Sequence, residues 1–77
     1  MKELLEHIIS SLIDREYFEI EEEADSNNIK YNLKVDPEYI GIIIGKGGKT
    51  VRSIRNILRI KAVLENKVVF LEVTEKE

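Results

Sequence analysis

Ile43-Ile44-Gly45-Lys46-Gly47-Gly48-Lys49-Thr50-Val51-Arg52-Ser53-Ile54 is the stretch on which the fold turns. The chain has 77 residues and four glycines, and all four glycines lie between positions 41 and 48. Glycine reaches positive φ and admits close backbone approach, so Gly45, Gly47 and Gly48 mark a tight connection. Nucleotide loops are the first comparison. Gly48, Lys49 and Thr50 match the end of GxxxxGK[ST], but Ile43 stands where that pattern needs its first glycine. The dinucleotide pattern GxGxxG fails in turn at Thr50. A link between two helices fits instead. It would set the free amides and positive dipole end of the second helix beside Lys46 and Lys49, an arrangement suited to a phosphodiester backbone.

Upstream, Asp36-Pro37 reads as a helix start, with the carboxylate capping free amides and proline at the first helical position. A short helix, about Pro37 to Ile43, turns Ile40, Ile43 and Ile44 to its apolar side, and Gly41 within it suits close packing. Downstream, Val51, Ile54, Ile57, Leu58 and Ala62 predict a helix over Lys49 to Leu64. Lys49, Arg52, Arg55 and Arg59 form its charged flank. At the start of the chain, Leu4, Leu5, Ile8, Ile9, Leu12 and Ile13 predict a helix from about Lys2 to Asp14, with His7 on its solvated rim. Phe18, Ile20 and Ala24 alternate with Glu19, Glu21 and Glu23, and Ile29, Tyr31, Leu33 and Val35 with Lys30, Asn32 and Lys34. These are two hairpin strands with one wet face, on which glutamates oppose Lys30 and Lys34. Val68 to Val73 is the last strand, and Glu75, Lys76 and Glu77 read as a frayed end.

The order is therefore α-β-β-α-α-β in one domain spanning residues 1–77. Two layers follow, an α+β fold with a three-stranded mixed sheet and helices on one face. The last two strands would be parallel through a helical crossover, and Val68 and Phe70 would lie on the uncovered face. That face is a candidate surface for a homodimer.

The chain is 43% hydrophobic with a net charge of −3, which argues mildly against a polyanionic partner. The average hides a segregation. Ile40 to Leu64 holds six basic residues (Lys46, Lys49, Arg52, Arg55, Arg59, Lys61) and no acidic one, while all fifteen acidic residues lie elsewhere. Such a body steers a polyanion to one side and repels it on the others. Cysteine is absent and His7 is the single histidine, which excludes thiol chemistry, thiolate metal sites and multi-histidine sites. The basic segment also lacks a carboxylate or histidine to act as a base or hold a metal, so no catalytic residue, metal or cofactor is expected. No apolar run spans a membrane and the start lacks a cleavage site, which points to the cytoplasm without a membrane partner.

The quoted stretch resembles the KH-domain signature (V/I)IGxxGxx(I/V)xxI, with Gly45 to Gly48 as its GXXG tetrad. Element order and length are similar to the type II KH fold of small stand-alone bacterial RNA-binding proteins of the KhpA (YlqC) family, over Lys2 to Thr74. The resemblance implies that Gly45 and Gly48 shape the loop, that Lys46 and Gly47 meet phosphates with Lys49 assisting, and that Ile44, Val51 and Ile54 form the core or lower wall of a base groove. It further implies a cytoplasmic RNA chaperone or regulator linked to cell shape and cell-wall homeostasis, often paired with a larger KH-containing protein of the KhpB type. Gly47 departs from the pattern, since a polar side chain is common there.

Single-stranded RNA is thus the expected partner, bound without catalysis through Gly45, Lys46, Gly47, Gly48, Lys49, Arg52, Arg55, Arg59 and Ile44. Single-stranded DNA stays open, because the choice rests on 2′-hydroxyl contacts that the residues do not encode. The alternative is a protein-interaction module whose own nucleic-acid binding is weak.

Overall fold

The computed structural model describes residues 1–76. Three helices, α1 (Lys2–Ser10), α2 (Ile40–Ile44) and α3 (Lys49–Leu64), accompany three strands, β1 (Phe18–Ala24), β2 (Asn28–Val35) and β3 (Val68–Glu75). The sheet order is β1-β2-β3, with β1 antiparallel and β3 parallel to β2. This is the expected α-β-β-α-α-β architecture of a type II KH fold, with its mixed sheet and helices on one face.

Strand alternation sorts the sheet into two faces. Ile29, Tyr31, Leu33, Val35 and Leu71 point into a core shared with Leu5 and Ile9 of α1, Ile43 of α2, and Val51, Ile54 and Leu58 of α3. Tyr31 is fully buried and satisfied: its hydroxyl donates to the Glu22 carboxylate at 3.1 Å. Burial, and next that hydrogen bond, hold the phenol well above its ordinary range. On the other face β1 opposes Glu19 to Lys34 and Glu23 to Lys30. The closest ion pair is diagonal, Lys34 to Glu21 at 3.0 Å, and Lys30 turns to Glu72 of β3 at 4.0 Å. The hairpin turn is held by Asp25, whose carboxylate accepts the Asn27 and Asn28 amides at 2.9 and 2.8 Å. Those bonds lower the Asp25 pKa, so their support is present at neutral pH and fades as the pH falls through that lowered range.

Five expectations need correction. Helix α1 stops at Ser10, short of Asp14, and a turn leads into a single 3-10 turn at Arg15–Tyr17. The Ser10 and Ser11 hydroxyls donate to the Glu6 and Ile8 carbonyls at 2.6 Å and compete with the backbone there. Leu12 is consequently left exposed, although Ile13 stays buried. Helix α2 starts at Ile40 and not at Pro37, because Pro37 to Tyr39 form a turn closed by the Tyr39 amide on the Asp36 carbonyl at 2.9 Å. Tyr39 stacks there on Tyr17, ring centroids 4.3 Å apart, and no side chain caps α2. Ile57, placed on the buried side of α3, is exposed. The expected frayed end is paired as far as it is described: β3 runs to Glu75, and the Lys76 amide donates to the Val35 carbonyl at 2.8 Å. Glu77 lies outside the described residues.

Gly41 is the fifth. A Cβ at Gly41 would meet nothing within 4 Å, so no close packing requires a glycine there. Gly41→Ala is therefore expected to raise stability by up to about 1 kcal/mol through helix propensity, read as a later urea midpoint at unchanged slope.

Candidate nucleic-acid interface

The site is built where α2 stops and α3 begins. Gly45 (φ 75), Gly47 (φ 64) and Gly48 (φ 79) all take positive φ, so the loop turns twice within four residues. Gly45 is the constrained one. A Cβ there would collide with the Thr50 side chain and stand 2.9 Å from the Thr50 amide nitrogen, whereas one at Gly47 or Gly48 would meet open space. The Gly45 amide closes α2 on the Gly41 carbonyl at 2.8 Å, and the Gly48 amide donates back to the Gly45 carbonyl at 3.1 Å. Helix α3 then starts directly at Lys49, and its first-turn amides have no intrahelical acceptor.

The cations sort by what they touch. The side chains of Lys46 and Lys49 at the loop, and of Arg59 further along α3, make no ion pair or hydrogen bond within the chain among the described residues. Arg52 folds back on the loop, donating to the Gly47 carbonyl at 2.7 Å and the Gly48 carbonyl at 3.3 Å. Arg55 reaches the opposite wall, where Nε and Nη2 donate to the Leu71 carbonyl of β3 at 3.4 and 3.3 Å. Sequence reasoning missed both of these backbone contacts, since a long side chain at helical spacing does not reveal a carbonyl partner distant in the chain.

A cleft of ≈ 380 Å³ lies between α3 and β3, lined by Arg55, Leu58, Arg59 and Val68 to Leu71. It continues the flank that starts at the loop. From Lys49 to Arg59 the helix rises roughly 15 Å. Ile44 ends α2 next to the loop and is 38% exposed, while Val51 and Ile54 sit in the core at 7% and 2%. Of the three residues that the resemblance puts in the core or groove wall, Ile44 is thus the one open to a ligand. Val68 and Phe70 are 52% and 56% exposed, as expected for the uncovered sheet face, and also close the far end of the cleft.

A second apolar surface lies on the side of α3 turned away from the sheet. Ile57, Ile60, Val63 and Leu64 are 44%, 64%, 67% and 76% exposed. The spacing 57, 60, 64 carries this signal in the sequence, as a stripe separate from the buried one at 51, 54, 58 and 62.

The chain matches the family model described as "KhpA/KhpB, KH domain" over residues 2–73. It belongs to the KhpA/KhpB KH-domain family. Its relatives include the RNA-binding protein KhpA of Clostridium perfringens, 40% identical over 95% of this chain and 99% of that protein. The RNA-binding protein KhpA of Chlamydia pneumoniae is 42% identical over the full length of both. That of Oceanobacillus iheyensis is 32% identical over 95% of this chain and 99% of its own. No solved structure matches the chain. In this KH domain, no group of three or more His, Asp or Glu among the described residues could hold a metal ion, and no described helix is long and apolar enough to cross a membrane.

The loop geometry separates its glycines by experiment. Gly45→Ala combines a positive φ with a steric clash and is expected to cost more than the ~1–2 kcal/mol of the left-handed conformation alone. Gly48→Ala should cost no more than that conformational penalty. Urea denaturation of the two variants beside the parent protein measures the difference.

Proposed function

We propose that the chain binds single-stranded RNA without catalysis. Phosphates would lie on the Gly45 to Gly48 loop, beside Lys46 and Lys49, and about four bases would lie along the adjoining groove. The observation that carries this reading is the continuity of the site. Three positive-φ glycines open directly onto the N-terminus of α3, and the same flank leads along Arg52, Arg55 and Arg59 into the cleft against β3. Ile44 offers an apolar floor at the loop end. The relatives' description as RNA-binding proteins supports the same assignment. A role as RNA chaperone or post-transcriptional regulator, working in the cytoplasm, fits a short groove that reads few bases and lets go readily.

Fluorescence anisotropy with a labelled mixed-sequence RNA tests it. Affinity should fall with salt, with a slope near 0.7 per phosphate contacted on a single strand. The double variant Lys46→Asp, Gly47→Asp should lose at least about ten-fold in affinity with its circular dichroism unchanged, because it sets negative charge where phosphate would sit. Absence of RNA binding by the parent at low salt, alone or with a partner protein, would sink the proposal. The same sequence as DNA reports on the 2′-hydroxyl.

The exposed stripe Ile57, Ile60, Val63 and Leu64 favours a second, compatible reading, self-association through α3. Ile60 lies at its centre, so a two-fold axis there would bring the same side chains together from both copies. This moves the expected dimer surface from Val68 and Phe70 to the outer side of α3. Sedimentation should show a concentration-dependent dimer that Ile60→Glu abolishes. A parent protein that stays monomeric at high concentration overturns self-association, and binding of a larger KH-containing protein that Ile60→Glu abolishes assigns the stripe to that partner.

A further inference from the structure

We infer that Arg52 is a positioning residue for the glycine loop, one that holds the loop's shape before any ligand arrives. The inference deepens the RNA-binding reading, and its decisive measurement is made without RNA.

Packing cannot order the second half of the loop. Gly47 and Gly48 have no side chains, and even an added Cβ would find no atom within 4 Å at either position. Glycine also loses the most conformational freedom on ordering, and two successive left-handed residues are an uncommon state to hold. Hydrogen bonds must therefore hold it. The backbone supplies two, from the Gly48 amide to the Gly45 carbonyl and from the Lys49 amide to the Lys46 carbonyl. The Gly48 carbonyl, at the N-cap of α3, also takes the first helical amide, and the Gly47 carbonyl receives its restraint from one side chain. Arg52 is the single side-chain donor to the loop among the described residues, with Nη2 on Gly47 and Nε on Gly48.

The two bonds use different nitrogens of one planar group, so together they fix the direction of the guanidinium as well as its distance. A lysine would keep the charge and lose the fork. The same clamp parks a positive charge at the loop mouth without the freedom of an exposed side chain. It thereby compensates for the missing side chain at Gly47: the loop gains order from a residue one turn into α3. Arg59 is the natural control, since it lies on the same flank and touches no backbone carbonyl among the described residues.

Amide hydrogen exchange of Gly48 and Lys49, read relative to the core amides of Leu33 and Leu58, tests the clamp. Exchange should speed up about ten-fold in both Arg52→Ala and Arg52→Lys, the size of one charge-assisted hydrogen bond, and stay unchanged in Arg59→Ala. If either Arg52 variant leaves the ratio within about two-fold of the parent, the clamp is refuted. The RNA readout separates positioning from simple charge. Arg52→Lys should bind several-fold more weakly at an unchanged salt slope, whereas full affinity in Arg52→Lys would make Arg52 only a phosphate-facing charge. Faster loop exchange in the Arg52 variants, together with a parent protein that binds no RNA, would confirm the clamp and refute the RNA reading separately.

Discussion

The close approach of Gly45 to Thr50 is the contact on which the functional half of the molecule depends. Gly45 has φ 75, and the space where a Cβ would stand is filled by Thr50. Only this combination lets α2 stop at Ile44 and α3 begin at Lys49 with no longer linker between them. The helices are then forced into contact over the sheet, which buries Ile43 beside Val51 and Ile54 and aims the start of α3 outward. Were the turn wider, the first amides of α3, Lys46 and Lys49 would not share one small surface.

Charge segregation acts on a larger scale. The acid-free segment folds into α2, the loop and α3, all on one side of the sheet, and the open sheet face carries Glu19, Glu21, Glu23 and Glu72. A polyanion approaching the sheet face meets carboxylates, and one approaching the loop meets unpaired Lys46, Lys49 and Arg59. The net charge of −3 is then no argument against such a partner, because its sign describes the wrong face.

Most of the fold was legible because its signals are local. Period-two alternation gave both hairpin strands, helical spacing gave α3 to the residue, and the glycines gave the loop. What stayed hidden depends on competition or on distance. The early end of α1 turns on serine hydroxyls bonding to helix carbonyls, which apolar spacing does not register. The late start of α2 accompanies a stacking contact between Tyr17 and Tyr39, far apart in the chain. The end of β3 reads as a frayed terminus, yet parallel pairing gives backbone amides partners whatever the side chains carry. In the site, residue types were readable and residue partners were not. Arg52, Arg55 and Arg59 share a stripe, but two of them are bound to carbonyls and one is free, a distinction set by which backbone lies across the gap.

A cleft between one helix and an edge strand has no third wall, and its two sides are joined by the core that Leu58 and Leu71 share. Arg55 spans the opening to the Leu71 carbonyl, and Arg52 ties the loop to the start of the same helix. Both side chains also satisfy backbone acceptors that would otherwise need water. The positive stripe is therefore partly framework: its first two arginines set the shape that the free cations at either end can use. Affinity in such a site depends on how little ordering remains to be done on binding, and the contacts to three carbonyls reduce that remainder without adding a residue to the chain.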